Sequence, residues 1–335
     1  MTTASVLLTV TTTWNMSTEK MENGGYLGRN LKNATAEAAK ELRENSATRD
    51  QAITIMREWI QQNTDIKNVR TDESFLLRFL RHKKYSLLMA QQTILKYLNL
   101  RNYYPEIFKN LHCDESRVKE VLSNGYIMVS PVRDSKGRRV IVYNMSKFNA
   151  HKFNCWDMCR AHVVVYESLI DDQVDQMCGY IHVGDGSGVS GAHVTTWNPT
   201  DFARLLKWGE QSLPMRHKEF HMVNVPSALK YVVDFAVSKV TPKMASRVNI
   251  YTNVKQLHQN VDPACLPTSY GGAVKIEDML SYTAQILREQ RKTVIELDHM
   301  QILSTRGIMS SRNNKSDVVN GELSIQGSFR KLEID

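Results

Sequence analysis

No two cysteines in this chain stand at the two-residue spacing used by zinc cages and redox motifs. The five present, Cys113, Cys155, Cys159, Cys178 and Cys265, are odd in number and scattered. That pattern argues against a disulfide framework or a metal cage and for a reducing cytosol. The chain also has no apolar run of membrane-spanning length. The short apolar stretch near its start follows no basic residue, so neither a signal peptide nor a membrane span is expected and membrane contact is expected to be peripheral. There is no Gly-Lys dipeptide, hence no Walker phosphate loop, and no cysteine is followed six positions later by arginine, hence no cysteine-phosphatase cradle.

What the chain does have is ordinary globular material: 335 residues, 42% hydrophobic and 23% charged, enough for one large domain and a helper. Lys and Arg number 43 against 35 Asp and Glu, a formal net charge of +8. The surface therefore favours polyanions, nucleic acid or an anionic membrane leaflet, and charge alone does not choose between them.

The pattern along the chain divides it. Residues 1–45 read as a mostly disordered tail with a short helix around 34–44. Residues 46–115 read as an all-helical lobe without strands: Ile53, Met56, Trp59 and Ile60 share a face, Thr71-Asp72 caps a helix carrying Phe75, Leu76, Phe79 and Leu80, and Ser86 opens a third helix stopped by Pro105. Residues 116–275 change character. A hairpin of 126–130 with 139–144 precedes alternating helices (155–177, 199–211, 227–239, 253–260) and strands (180–184, 219–224, 248–251), which predicts an α/β domain with a largely parallel sheet flanked by helices. Asn198-Pro199 and Thr241-Pro242 mark two helix starts. Residues 276–335 read as one last helix and a flexible tail containing the run SSRNNKSD.

Several motifs invite chemistry and carry little. Gly184-Asp185-Gly186-Ser187-Gly188 follows a strand but has only part of the dinucleotide spacing, so a plain turn is the better reading. His217 and His221 lie four apart on a strand, about 13 Å from one another, too far for one metal. Cys155 and Cys159 sit one helical turn apart and read as core packing. No catalytic set, metal site or cofactor site is expected.

The informative stretch is 226–240. On a helix, Leu229, Val232, Val233, Ala236, Val237 and Val240 form one face, Tyr231 and Phe235 widen it, and Lys230, Asp234 and Ser238 leave a narrow polar strip. The plain reading is a well-buried helix; the functional one is a lid over an apolar cavity. Beside it run cations: Arg216 and Lys218 ahead of a strand, Lys243 and Arg247 four apart, and Lys83 with Lys84 at a helix end. They are either a solvated face or, if the segments converge, a phosphate site.

Over residues 48–290 the chain resembles the CRAL-TRIO lipid-binding family, in its alpha-tocopherol transfer protein, retinaldehyde-binding protein and clavesin branch. The anchors are residues 74–81 (SFLLRFLR), Gly125-Tyr126, Asp185 with Gly188, Ser212-Leu213-Pro214, Asn224-Val225-Pro226 and residues 267–272 (PTSYGG), in that order. The resemblance implies an N-terminal helical lobe and an α/β lobe whose sheet floors a hydrophobic cavity closed by a gate helix, Ser227–Lys239 here. It implies a cytoplasmic, monomeric, non-enzymatic carrier that binds a tocopherol-like, retinoid-like or similar lipid and reversibly visits endosomal or other phosphoinositide-bearing membranes. Lys83, Arg216, Lys218, Lys243 and Arg247 match the branch's cleft for phosphatidylinositol bisphosphate headgroups. Strand alternation and helix faces nominate Ile181, Val183, Leu205, Trp208, Met222, Leu229, Val232, Val233, Phe235 and Val237 for the pocket wall. Gly184 stands where the family often has phenylalanine and Val189 where it has an aromatic, which implies a roomier floor and rim. The alternative is a phosphoinositide-binding trafficking adaptor or scaffold that transfers no lipid; nucleic acid is not expected as a partner.

Overall fold

Helix α1 spans Tyr26–Leu42, longer than the helix expected around 34–44. The computed structural model describes residues 26–197 and 199–309; the expected tail before residue 26, the run SSRNNKSD and the cap residue Asn198 lie outside them. α1 packs over the turn of the β-hairpin, where a side chain at Gly137 would come within 3.3 Å of Ala34 and Leu31. α2 (Ser46–Gln62) starts at Asn45, whose side chain accepts from the Thr48 amide at 2.9 Å. α3 (Glu73–His82) starts at Asp72, which accepts from the Phe75 amide at 3.1 Å, and α4 (Leu87–Tyr103) runs on to Tyr104 ahead of Pro105. α5 (Ser116–Ser123) follows the lobe and leads to the hairpin.

α3 is buried on every side rather than along one face. Phe75, Leu76, Leu77, Phe79 and Leu80 are wholly enclosed, and so are Arg78 and Arg81. An unpaired buried guanidinium would cost several kcal/mol. Partners from the second lobe meet it: Arg78 binds Glu167 at 2.9 Å and Asp171 at 2.6 Å, and Arg81 donates to Gln176 at 2.9 Å.

The central sheet has five strands in chain order: β1 (Ile127–Val129), β2 (Arg139–Asn144), β3 (Tyr180–Asp185), β4 (His217–Val223) and β5 (Val248–Tyr251). β1 and β2 form the antiparallel hairpin and the other pairings are parallel. The crossover between β2 and β3 was expected as one helix over 155–177. It is two, α6 (Cys155–Leu169) and α7 (Gln173–Cys178), because Asp171 is drawn to Arg78 and Asp172 caps α7 by accepting from the Asp175 amide at 2.8 Å. α8 (Pro199–Gln211) and α9 (Ser227–Val237) cover the sheet before β5. α10 (Ile276–Glu289) packs on β1. The expected flexible C-terminal tail is corrected as far as residue 309. Gln301–Ile302 pairs antiparallel with Ile66–Lys67, giving the helical lobe a strand too short to leave an alternation pattern, and Gln92 binds both Gly307 and Met309 at 2.8 Å.

The two sheet faces differ. Val140, Val142, Ile181, Val183 and Val223 build a solid core with Leu257, Leu266 and Met279. Ile181 and Val183, nominated for the pocket wall, therefore point away from the pocket. Alternation identifies two faces and not which one is hollow: the one carrying Val140, Val142, Ile181, Val183 and Val223 packs solid and the opposite one, with Tyr143, His182, Gly184, Phe220 and Met222, faces the cavity.

A bulge opens β4. Tyr180 pairs with His217 but Ile181 pairs with Glu219, leaving Lys218 as the extra residue, so His217 shares the cavity face with Phe220 and Met222. Gly179 makes this possible. Its φ is +87°, and a Cβ there would lie 2.5 Å from the Arg216 carbonyl oxygen and 2.9 Å from Lys218 Cγ. Gly179→Ala is expected to cost at least about 2 kcal/mol in denaturant unfolding. A loss below about 0.5 kcal/mol would mean that the bulge does not depend on this glycine.

Candidate functional site

Between the sheet and its covering helices lies a cavity of about 230 Å³. α6 contributes Met158, His162 and Tyr166, α8 contributes Phe202, Leu205 and Trp208, and α9 contributes Val233 and Val237; Leu100, Ile107 and Phe108 close it from the helical lobe. Of the nominated wall residues, Leu205, Trp208, Met222, Val233 and Val237 line this space. Leu229 and Val232 do not; they are buried in the packing of α9, while Phe235 is half-buried with the Lys239 ammonium 5.1 Å from its ring centre. α9 is amphipathic, with Leu229, Val232, Val233 and Ala236 inside and Lys230, Tyr231 and Asp234 outside, and it lies along α8.

One wall of the cavity is polar. Tyr126 Oη and His162 Nε2 are 2.8 Å apart, His162 Nδ1 and Tyr166 Oη 3.0 Å, Tyr166 Oη and Tyr143 Oη 2.8 Å, Tyr143 Oη and His182 Nδ1 2.6 Å, and His182 Nε2 and His217 Nδ1 2.8 Å. Burial pushes His162 and His217 down to about 4 and His182 well below its ordinary value, and it pushes the three phenols up, so these six side chains are neutral. An apolar pattern does not single out these side chains. Their signal was the helical spacing of His162 with Tyr166 and the strand parity of His182 with Gly184. His221, paired in the sequence with His217, also borders the cavity, but its ring is outside the run, 3.0 Å from Tyr251 Oη and 3.1 Å from Glu219.

Three of the nominated cations, Arg216, Lys218 and Arg247, come together at the start of β4. Arg216 and Lys218 flank His217, and both bind Glu41 of α1, at 2.9 and 2.8 Å. Arg216 also donates to the Met177 carbonyl, and Arg247 to that of His217. Burial lowers the Lys83 pKa and the neighbouring Lys96 and Lys243 lower it further, so Lys83 and Lys243 stand within electrostatic reach. Burial also lowers the pKa of Arg216 and of Lys218, with Arg247 adding to each. The group therefore concentrates positive charge, with Arg216 buried and Lys243 exposed. Glu41 fills part of it: burial opposes its ionisation, but Lys218, Arg216 and Lys84 hold its carboxyl down at about 2.

A family model described as CRAL/TRIO domain matches residues 123–272, and one described as a Pinta-like UBA domain matches residues 45–118. Clavesin-1 of Xenopus laevis is 30% identical over 248 residues, 74% of this chain and 75% of its own. The chain belongs to the CRAL/TRIO family. The alpha-tocopherol transfer protein-like protein of Mus musculus is 28% identical over 275 residues, covering 81% of this chain and 79% of that one. The crystal structure of Sfh5 aligns with a TM-score of 0.48 at 14% identity, over 74% of this chain and 98% of that one.

As a CRAL/TRIO protein the chain is a lipid-binding carrier at the level of the family. No helix among the described residues is long and apolar enough to cross a membrane. Gly184 lines the cavity floor, where a Cβ would be 3.4 Å from Met145 Cε, an ordinary contact, so the glycine leaves that part of the floor open.

The neutral imidazoles make a testable demand on stability. A histidine whose folded pKa lies near 4 binds its proton only when unfolded, where its pKa is about 6.5. Its contribution is present above pH 6.5 and is lost as pH falls from there toward 4. Between pH 7 and pH 5, His162→Phe is therefore expected to lose about 2 kcal/mol less stability than the unaltered chain. Equal losses in denaturant titrations at the two pH values would show that His162 is not held neutral.

Proposed function

We propose that the protein carries a hydrophobic lipid in this cavity, releases or collects it at membranes through movement of α9, and engages phosphoinositide headgroups at the cationic cleft. The observation that supports this reading best is the shared strand: His217 lines the cavity while its neighbours Arg216 and Lys218 belong to the cleft. A lipid with ~400 Å² of apolar surface gains on the order of 10 kcal/mol on leaving water, so release into water is slow. Moving α9 aside in water exposes Leu229, Val232 and Val233, which costs on the order of 5–9 kcal/mol at about 1.5–3 kcal/mol each. Against acyl chains that cost largely disappears, and anionic headgroups favour the encounter.

Glu41 sets a condition on the cleft. A phosphate reaching Arg216 and Lys218 has to displace this carboxylate or share its partners, so α1 competes with the membrane. Glu41→Gln is expected to raise affinity for vesicles containing phosphatidylinositol bisphosphate by about threefold or more in flotation assays, since one charged competitor is removed. Lys243→Glu, at an exposed position away from the β4 backbone, should slow transfer of lipid to those vesicles several-fold and leave transfer between neutral vesicles unchanged. Unaltered selectivity in both variants would remove the cleft from the transfer mechanism.

A further inference from the structure

The five links from Tyr126 through His162, Tyr166, Tyr143 and His182 to His217 form one unbranched run of six neutral side chains. Each neutral imidazole has one hydrogen and each phenol one, so six hydrogens serve five contacts. One hydrogen is left without an acceptor among the described hydrogen bonds. Each imidazole inside the run must donate from one nitrogen and accept at the other, so the direction of donation passes through it as a unit. At the last member, His217 Nε2 offers an N–H when the run points toward it and a lone pair when the run is reversed. His217 lines the cavity, and this nitrogen has no hydrogen-bond partner among the described residues.

The rest of the wall restricts what can meet it. No Lys or Arg lines the cavity among the described residues, and its one carboxylate, that of Glu210, is bound to Thr241. A ligand carboxylate would give up its water against neutral rings with no cation to meet it, a large penalty. A pure hydrocarbon would leave the surplus hydrogen unmade. A hydroxyl donates and accepts, so it suits either direction of the run; a carbonyl suits one of the two.

We infer that this Tyr–His run is the head-group subsite of the cavity and selects a lipid ending in a single neutral hydroxyl or carbonyl over a fatty-acid anion or a plain hydrocarbon. The inference rests on the carrier reading and adds the chemical class of the cargo to it.

The test loads the full chain from phosphatidylcholine vesicles with dodecanol, dodecane or dodecanoate, each labelled with carbon-13 at the first carbon. Dodecanol is expected to bind with its labelled carbon in NMR contact with His or Tyr ring protons, and dodecanoate at least about tenfold more weakly. His217→Phe should weaken dodecanol by about five- to tenfold and leave dodecane within about twofold, and His217→Gln, which keeps a donor and an acceptor, should restore the alcohol. If His217→Phe fails to fold, the comparison of three probes in the unaltered chain still decides. Tight dodecanoate binding, or a labelled carbon remote from the rings, overturns the subsite while leaving the carrier reading in place. Binding of none of the probes overturns both.

Discussion

The bulge at the start of β4 is the constraint from which the site's arrangement follows. A regular strand would put Arg216 and Lys218 on one face and His217, Glu219 and His221 on the other, with Phe220 and Met222 sharing the face of Lys218. The extra residue at Lys218 changes the parity, so His217, Phe220 and Met222 all face the cavity. The cations beside His217 are then free to meet Glu41 and the end of α7. Cavity lining and anion cleft are consequences of one local irregularity, held open by a glycine that no larger residue can replace without striking the Arg216 carbonyl.

The two lobes are held by charge as well as by apolar contact. Arg78 is wholly buried, yet it has Glu167 and Asp171 as partners, and Glu167 also accepts from Tyr97 at 2.6 Å. Removing one member would strand the others away from water, so the network fixes how the helical lobe sits against α6. That placement brings Leu100, Ile107 and Phe108 to the cavity and makes the helical lobe part of the container.

Much of the architecture was legible because it rests on local rules. The caps at Asp72 and Thr241, the hairpin turn at Gly137 and the alternation of strands with helices all state their geometry within a few residues. The break between α6 and α7 was not legible, because Asp171 leaves the helix to meet an arginine 93 residues away in sequence. The same holds for the C-terminal strand, whose partner Ile66–Lys67 lies in the other lobe.

For the site, local pattern identified amphipathic α9 and grouped the cations, while choosing the wrong face of β3 for Ile181 and Val183. Taken alone, the sequence determined most of the segments that become helices and strands, which of their residues are apolar, and which positions carry positive charge; these follow from periodicity and side-chain chemistry within each segment. Only the tertiary structure decided which sheet face is hollow, that Glu41 sits among the cations, and that three tyrosines and three histidines from four elements and the turn ahead of β1 join in one run. Those outcomes depend on distances between segments far apart in the chain, and no periodicity within a segment encodes them.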